Sequence, residues 1–478
     1  MVEFPDIEEF KLPAEIAQSV TTDQAWHYGI IPKEKNSKSI VFYVNRESNV
    51  EKVKSELEVL TGMEIKLLPA DSKFIQKALS KFYRKNKKLN SSAQKISHSE
   101  DFLVKIITEA NSLTCSDIHI EIYEEKCRVR FRLDGKLIER YILHKEEYPA
   151  IVNKIKIRAN LDIAEKRLPQ DGRIFFSENN KKFDIRVSIL PALHGEKIVL
   201  RLLSKDTTNI DIEQLGFDKH QLDFYLEGIK KPHGLVLISG PTGSGKTTTL
   251  YATLKILNKE QTNILTIEDP IEYTLEGINQ VQLKESIGLT FSSALRTFLR
   301  QDPDIIMLGE IRDSETAQMA IRAALTGHLV LSTIHTNSAW GTVSRLIDME
   351  VPAFLLANTL NITVAQRLVR LLCPQCKKEE PFNQALFPKK YKYDKLPEKH
   401  FVSVGCDSCY HTGYKGRKAV YEVIPIDYEF SERIKMSQLD IGDLLKEKDI
   451  RSLSQSAFEL FQSGFTSIEE IYSLLMNT

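Results

Sequence analysis

The chain has 478 residues, more than one hydrophobic core normally holds, so we expect roughly two to four domains. Apolar residues make up 42% and charged residues 27%, a balance that is typical of compact globular proteins and excludes a disordered or fibrous chain. Lys plus Arg and Asp plus Glu are equal at 65 each, so net charge gives no long-range attraction to nucleic acid or anionic lipid.

No apolar run approaches the ~20 residues that a helix needs to cross a bilayer. Residues 1–10 are acidic and lack the apolar region of a secretory signal. We therefore expect a cytoplasmic protein without a membrane span of its own, which touches membranes only through partners.

The first stretch, residues 1–80, predicts a small α/β module. Apolar runs at Ile40–Val44 and Met63–Leu68 are typical of strands, and Val50–Leu60 between them has helical spacing. Residues 81–100 are polar and basic and offer nothing to bury, which predicts a linker.

Residues 101–205 predict a second α/β domain, because alternating segments such as Cys127–Arg132 and Phe183–Ile189 are flanked by helical patterns. From residue 206 to 478, apolar strands are each followed by a helix. This alternation predicts an α/β core domain with a mainly parallel sheet.

A glycine-rich segment, Gly240–Thr247, matches the phosphate-loop pattern at every fixed position. An apolar strand precedes it and a helical stretch follows, so the helix amides and dipole favour a phosphate group. Lys246 is expected to meet the β and γ phosphates of ATP, and the Thr247 hydroxyl to hold Mg²⁺. The predicted nucleotide-binding positions are Gly240, Pro241, Thr242, Gly243, Ser244, Gly245, Lys246, Thr247 and Thr248.

Hydrolysis also needs an acidic residue beside the γ phosphate, and two strand ends supply candidates. One apolar strand ends in Glu310, which we expect to polarise the attacking water. Another ends in Glu268 and Asp269, which can hold the metal, orient the water or belong to a surface turn. A third ends in His335, a candidate for phosphate contact, although a histidine in such a place more often has a structural role.

Four of the six cysteines form two C-x-x-C pairs, Cys373 with Cys376 and Cys406 with Cys409, separated by 29 residues. In a reducing compartment this grouping indicates a metal site rather than disulfides. Four thiolates close a tetrahedral shell around Zn²⁺ and leave no position for water, so the metal is expected to be structural. An iron–sulfur cluster and four unliganded cysteines are the alternatives.

Four segments stand in an order that resembles the secretion ATPase superfamily of type II secretion and type IV pilus assembly. Gly240–Thr247, Thr266–Pro270, Leu299–Asp313 and Thr326–His335 are similar to its Walker A, Asp, Walker B and His boxes. Three upstream segments are similar to the second N-terminal domain of the family: Ser116–Glu121, Arg167–Arg173 and His194–Arg201. The resemblance covers residues 98–478 and is greatest to the general secretion pathway protein E family.

This resemblance implies a RecA-like P-loop ATPase core (206–478) behind a PAS-like domain (101–205), with an N-terminal docking module (1–80). It also implies a tetracysteine zinc subdomain at 373–409 and assembly as a homo-hexamer. Arg186 and Arg201 are the implied arginines that reach ATP, and Arg296 and Arg300 are implied at subunit contacts; an ordinary surface charge is the alternative for each. The implied catalytic set is Glu310, Glu268, Lys246, Arg201, Arg186 and His335.

The function implied is that of an ATP-hydrolysing motor that powers export through the type II secretion system by driving pseudopilus assembly at the inner membrane. Its implied partners are a membrane-anchored protein with a cytoplasmic domain and a polytopic inner-membrane platform protein. The alternative is extension of type IV pili. The tetracysteine subdomain argues against pilus retraction, and the N-terminal part of about 97 residues, the length of one docking domain, favours secretion.

Two other classes remain alternatives. A RecA-like nucleic-acid translocase shares the core fold, but zero net charge and the lack of a basic, aromatic stripe argue against a nucleic-acid partner. A zinc-organised scaffold that binds ATP without hydrolysing it is the third class.

Overall fold

The computed structural model describes residues 22–36, 39–46, 50–61, 63–82, 102–178, 181–203, 211–383, 396–438 and 440–476, together with positions 12, 16, 19–20, 386–388 and 391. The chain divides into two compact units, residues 1–98 and 99–478. Most of the predicted linker 81–100 lies outside the described residues, so the linker stays a prediction.

In its described part, the first unit is a three-stranded sheet with three helices. The central strand β2 pairs antiparallel with β1 and parallel with β3, and its Phe42 and Val44 are fully buried. The strand, helix and strand that the sequence predicted are present, and the last helix runs to Phe82. In chain order the elements are α1 (Thr22–Tyr28), β1 (Ile30–Lys35), β2 (Ser39–Asn45), α2 (Val50–Thr61), β3 (Glu64–Ala70) and α3 (Ser72–Phe82).

Residues 102–203, the antiparallel-sheet segment, form six strands in the order β6-β5-β4-β9-β8-β7. The alternation predicted for β5 buries Cys127, Val129 and Phe131 on one face of the sheet, so the three arginines between and after them lie on the other face. The elements are α4 (Phe102–Ser112), β4 (Asp117–Ile122), β5 (Cys127–Leu133), β6 (Lys136–Leu143), α5 (Tyr148–Arg158), β7 (Gln170–Glu178), β8 (Lys181–Ala192) and β9 (Gly195–Leu203).

Residues 211–476, the parallel-sheet segment, carry a seven-stranded sheet in the order β12-β11-β13-β14-β10-β15-β18. Neighbouring strands are parallel except β15 and β18. Its first elements are α6 (Lys219–Lys230), β10 (Gly234–Ser239), α7 (Lys246–Leu257), β11 (Ile264–Glu268), β12 (Asn279–Gln282), α8 (Phe291–Phe298), β13 (Ile305–Leu308), α9 (Ser314–Leu325) and β14 (Leu329–Ile334). The remaining elements are α10 (Gly341–Asp348), α11 (Ala353–Thr359), β15 (Leu360–Leu372), β16 (Lys378–Pro381), β17 (Lys399–Val402), β18 (Tyr414–Pro425), α12 (Tyr428–Lys435), α13 (Gly442–Glu447), α14 (Leu453–Gln462) and α15 (Ile468–Met476).

The local sequence explains where these elements form. All six residues of β10 are buried, as expected for a central parallel strand with helices on both faces. Asp218 and Gln221 make a capping box at the start of α6, and Asp313 accepts a hydrogen bond from the Thr316 amide at the start of α9. The predicted α/β class with a mainly parallel sheet is confirmed. None of the described helices combines the length and the apolar character needed to cross a bilayer.

Candidate functional site

The glycine-rich loop joins the end of β10 at Ser239 to the start of α7 at Lys246. Gly243 and Gly245 have φ angles of 80° and 88°, in the left-handed region where a side chain is strained. This backbone lets the loop curl tightly in front of the first turn of α7. Free amides at a helix N-terminus attract anions, so the loop has the shape of a phosphate cradle.

Lys246 lies underneath this loop rather than in solvent. Its Nζ donates to the carbonyl oxygens of Gly240 and Pro241 at 2.8 and 3.1 Å. Burial lowers its pKa to about 8, Glu310 opposes this shift, and Arg367 adds to it. The ammonium group is therefore poised for an anionic partner.

Three strand ends meet at the same edge of the sheet. Ser239 pairs with Ile334 across β10 and β14, and Leu308 pairs with Ser332 across β13 and β14. Because parallel strands end together, the residues that follow each strand lie side by side. The phosphate loop, Glu310 and His335 follow these three ends.

The side chains of an arginine and a histidine contact the Glu310 carboxylate. Arg312 donates to one carboxylate oxygen, and His335 Nε2 lies 3.4 Å from the other. Burial alone raises the pKa of Glu310, but Arg312, His335 and Lys246 outweigh it and lower the pKa below its usual value. The carboxylate is therefore ionised and oriented near neutral pH.

Arg312 was not among the sequence candidates. It also lies 3.5 Å from Asp269, so it links the two acidic strand ends. In the sequence, only its position two residues after Glu310 points to the site. That position does not reveal which carboxylates the arginine contacts.

Glu268 has a more enclosed position than Glu310. Its carboxylate accepts hydrogen bonds from Tyr251, Thr266 and Gln280. The side chain is only 3% exposed, so these three partners fix its orientation. The neighbouring Asp269 is more exposed and faces Arg312.

The two histidines of the predicted His box lie at opposite ends of β14. His328 Nδ1 is 3.0 Å from the Ala323 carbonyl, at the end away from the phosphate loop. His335 is at the end with Glu310. Of the two, His335 is the one brought to the site.

The arginines implied at ATP are engaged within the chain. Arg186 Nη1 lies 3.0 Å from Glu272 Oε2, and Arg186 also donates to the Ile271 carbonyl, just after the acidic tip of β11. Arg201 is more than half exposed and bonds Asp117 on the adjacent strand at 2.9 Å. Arg186 therefore reaches the edge of the site, and Arg201 stays on its own sheet.

The two arginines implied at subunit contacts lie at the end of α8. Arg296 pairs with Glu315 on α9, and Arg300 donates to the Arg296 carbonyl at 2.9 Å. Both are exposed.

The four cysteines of the two C-x-x-C pairs come together where β15 ends and β18 begins. Their sulfur atoms all lie within 4.8 Å of one another, and three of the separations are 3.9, 3.8 and 3.8 Å. A tetrahedron with Zn–S bonds of ~2.3 Å has edges of ~3.8 Å, whereas a disulfide joins sulfurs at ~2.05 Å. The donor set and its spacing thus fit a four-coordinate thiolate-bound ion.

Backbone amides support these sulfur atoms. Gly405 N donates to Cys376 Sγ at 3.2 Å, and Gly413 N donates to Cys409 Sγ at 3.3 Å. Both glycines have positive φ angles, 104° and 78°. A loop of this shape turns its amides toward thiolate ligands, which orients them for a metal.

Comparisons with known proteins agree with these features. A model of the family described as "Type II/IV secretion system protein" matches residues 92–473. The type IV pilus assembly ATPase PilB of Myxococcus xanthus is 41% identical, and the match covers 98% of this chain and 88% of that protein. The type II secretion system ATPase E of Vibrio cholerae is 44% identical over 80% of this chain and 78% of that protein. The structure of the Legionella pneumophila ATPase DotB has a similar fold, with a TM-score of 0.59 at 22% identity over 79% of this chain and 95% of that one.

Proposed function

The chain belongs to the type II/IV secretion system protein family, and we propose that it is the ATP-hydrolysing motor of a type II secretion system. The motor hydrolyses ATP to ADP and phosphate and uses the energy to drive pseudopilus assembly at the inner membrane. The observation that carries this proposal is the meeting of Lys246, Glu310 and His335 at one edge of a parallel sheet, beside a phosphate-shaped loop.

Each predicted residue has a role in this proposal. The backbone N–H groups of residues 240–248, apart from Pro241, which has none, hold the phosphates together with the Lys246 ammonium group, and the Thr247 hydroxyl holds Mg²⁺. Glu310 polarises the attacking water, with its orientation fixed by Arg312 and His335. Glu268 and Asp269 support the metal side of the site.

The arginines act from a neighbouring copy in this proposal. In a homo-hexamer, Arg186 and Arg201 of one copy stabilise charge on the phosphates bound by the next, and Arg296 and Arg300 lie at subunit contacts. Arg186 then exchanges its Glu272 partner for phosphate, which couples ATP binding to movement of the antiparallel-sheet segment.

The organisation proposed for the chain keeps the predicted division. Residues 1–80 form a module that docks a membrane-anchored partner with a cytoplasmic domain, and residues 81–100 form the linker that follows it. Residues 101–205 form the PAS-like domain, and residues 206–478 form the RecA-like core. The cysteine cluster at 373–409 holds Zn²⁺ as a structural ion, because its four thiolates leave no open position. A polytopic inner-membrane platform protein is the second partner, and the motor works at the cytoplasmic side of that membrane.

Extension of type IV pili is the second candidate function. The match with the pilus assembly ATPase PilB covers 98% of this chain, against 80% for the type II secretion ATPase of Vibrio cholerae. A match over 98% of the chain includes most of the N-terminal residues, the part expected to select the partner. Capture of inner-membrane proteins of the host by the full chain separates the candidates: a secretion partner supports the first function, and a pilus partner supports the second.

ATP turnover by the full chain tests the motor proposal. Glu310→Gln keeps the shape of the side chain but removes the carboxylate, so we expect ATP binding to persist and turnover to fall by ~10²-fold or more. Lys246→Ala is expected to abolish turnover. The matched control is Lys255→Ala, which removes an exposed lysine from the far end of the same helix and leaves turnover unchanged.

Three outcomes would redirect the proposal. Normal turnover by Lys246→Ala would show that the phosphate-loop assignment is wrong. Full biological function of Glu310→Gln without hydrolysis would favour the ATP-binding scaffold, and stimulation by single-stranded DNA but not by membrane partners would favour the nucleic-acid translocase.

A further inference from the structure

Strand β15 lies beside β10, on the side opposite β14, and it extends past the end of β10. Ser239, the last residue of β10, pairs with Ala365 in β15. Gln366 and Arg367 follow, so they lie level with the phosphate loop rather than beside the strand. No predicted motif includes these two residues.

Gln366 fits closely against the loop. A side chain at Gly240 would place its Cβ 2.6 Å from the Gln366 carbonyl oxygen, and one at Gly245 would place it 2.8 Å from Gln366 Nε2. Thr249 Oγ1 in the first turns of α7 donates to Gln366 Oε1 at 2.9 Å. The loop and the helix behind it are therefore packed on this segment of β15.

Arg367 is held at the same place by carbonyl oxygens. Its Nη1 donates to the Gln366 carbonyl at 2.9 Å, and its Nη2 donates to the Asn337 carbonyl at 3.1 Å. Asn337 lies two residues after His335, so the guanidinium group connects β15 with the segment that follows β14. A Cβ on Gly240 would lie 3.2 Å from Arg367 Nη1.

The charge of Arg367 is not matched by an ion pair within the described part of the chain. Among the residues that the structure describes, no carboxylate lies within 4.0 Å of its guanidinium nitrogens. The group is partly buried, and burial lowers the pKa of Arg367, while Glu422 opposes this shift from beyond ion-pair distance. Lys246 and Arg367 therefore place two positive charges beside the phosphate loop, and such a pair of cations attracts a multiply charged anion.

We propose that Arg367 is a further nucleotide-binding residue, whose guanidinium group neutralises the polyphosphate of ATP together with Lys246. This inference rests on the proposed ATPase function and adds a cation supplied by the same copy that holds the phosphate loop. Binding of ATP draws the guanidinium toward phosphate and away from the Asn337 carbonyl. The segment after His335 therefore changes its contacts when ATP binds and when phosphate leaves.

Titration calorimetry of the full chain with Mg-ATP tests this role. We expect Arg367→Gln to weaken binding at least ~10-fold, since a charged hydrogen-bond partner of phosphate is lost. Arg367→Lys is expected to recover part of the loss, because a lysine restores the charge without the planar fork. The matched control is Arg345→Gln, which removes an exposed arginine from α10 and should leave binding unchanged. Binding by Arg367→Gln within about twofold of the parent protein would overturn the proposal.

A measurement on the parent protein covers the case in which Arg367→Gln does not fold. Phenylglyoxal modifies accessible arginines, and peptide mass spectrometry reads each site. We expect Mg-ATP to protect Arg367 and to leave Arg345 reactive; equal modification of Arg367 with and without Mg-ATP contradicts the inference. If the parent protein binds no Mg-ATP at all, the proposed ATPase function fails and this role fails with it. If the parent protein binds Mg-ATP, Lys246→Ala does not bind it and Arg367→Gln binds it as well as the parent, then only the role of Arg367 fails.

Discussion

Affinity for ATP is expected to fall as the pH rises through 8, because the amine of Lys246 must be charged to pair with phosphate. The side chain is only 9% exposed, and burial lowers its pKa to about 8. Above this pH most of the empty protein carries a neutral amine. Binding of a phosphate group then requires uptake of a proton, which weakens the apparent affinity.

The size of the effect follows from this pKa. With a midpoint near 8, the protonated fraction of Lys246 falls about tenfold between pH 7 and pH 9. We expect the Kd for Mg-ATP to rise about tenfold over the same interval. Calorimetry at constant ionic strength in two buffers of different ionisation enthalpy measures both the affinity and the proton uptake.

Lys246→Arg is the matched control for this titration. A guanidinium group stays charged throughout this range, so the variant should lose the pH dependence even where its poorer fit weakens binding. A parent Kd that stays constant from pH 7 to pH 9 would refute the reasoning. The same slope in Lys246→Arg would assign the pH dependence to another group.

Two further predictions concern stability. Replacing both Cys376 and Cys409 with Ser should release bound zinc and destabilise the surrounding subdomain, as read by elemental analysis and hydrogen exchange of β18; unchanged metal content would contradict the zinc site. Burial opposes ionisation of Glu121, but Arg130 and Arg128 outweigh it and lower its pKa from 4.5 to about 2. Glu121→Gln should therefore destabilise the antiparallel-sheet segment by ~3 kcal/mol at pH 7. This contribution to stability is fully present above pH 4.5 and is lost as the pH falls toward 2. Hydrogen exchange of β4 should therefore differ between parent and variant at pH 7 and become equal in acid. Equal exchange at pH 7 would contradict the ion-pair assignment.

The Glu310 carboxylate must meet two requirements if it is to polarise water. It has to be ionised despite partial burial, and it has to point in one direction. Arg312 supplies the opposite charge, and because Arg312 and His335 contact different oxygens, together they fix the orientation of the carboxylate. A water-polarising role needs both properties before ATP arrives.

Local sequence determined the phosphate loop, the acidic strand end at Glu310 and the two cysteine pairs. Each feature depends on residue types at short spacing along the chain. The chemistry of glycine, lysine, carboxylate and thiol groups at such spacing can therefore be inferred before the fold is known. Hydrophobic runs likewise predicted strands such as β2, β5 and β10, because burial imposes its period on the sequence.

Tertiary structure alone decided which distant residues meet. Nothing in the local pattern around Arg312 indicates that it joins Glu310 to Asp269, or that Arg186 contacts the segment after β11. Arg367 reaches the phosphate loop only because β15 is the neighbour of β10 and extends past its end. Strand order and register result from packing over the whole sheet, and residues more than 100 positions apart acquire their roles through that packing.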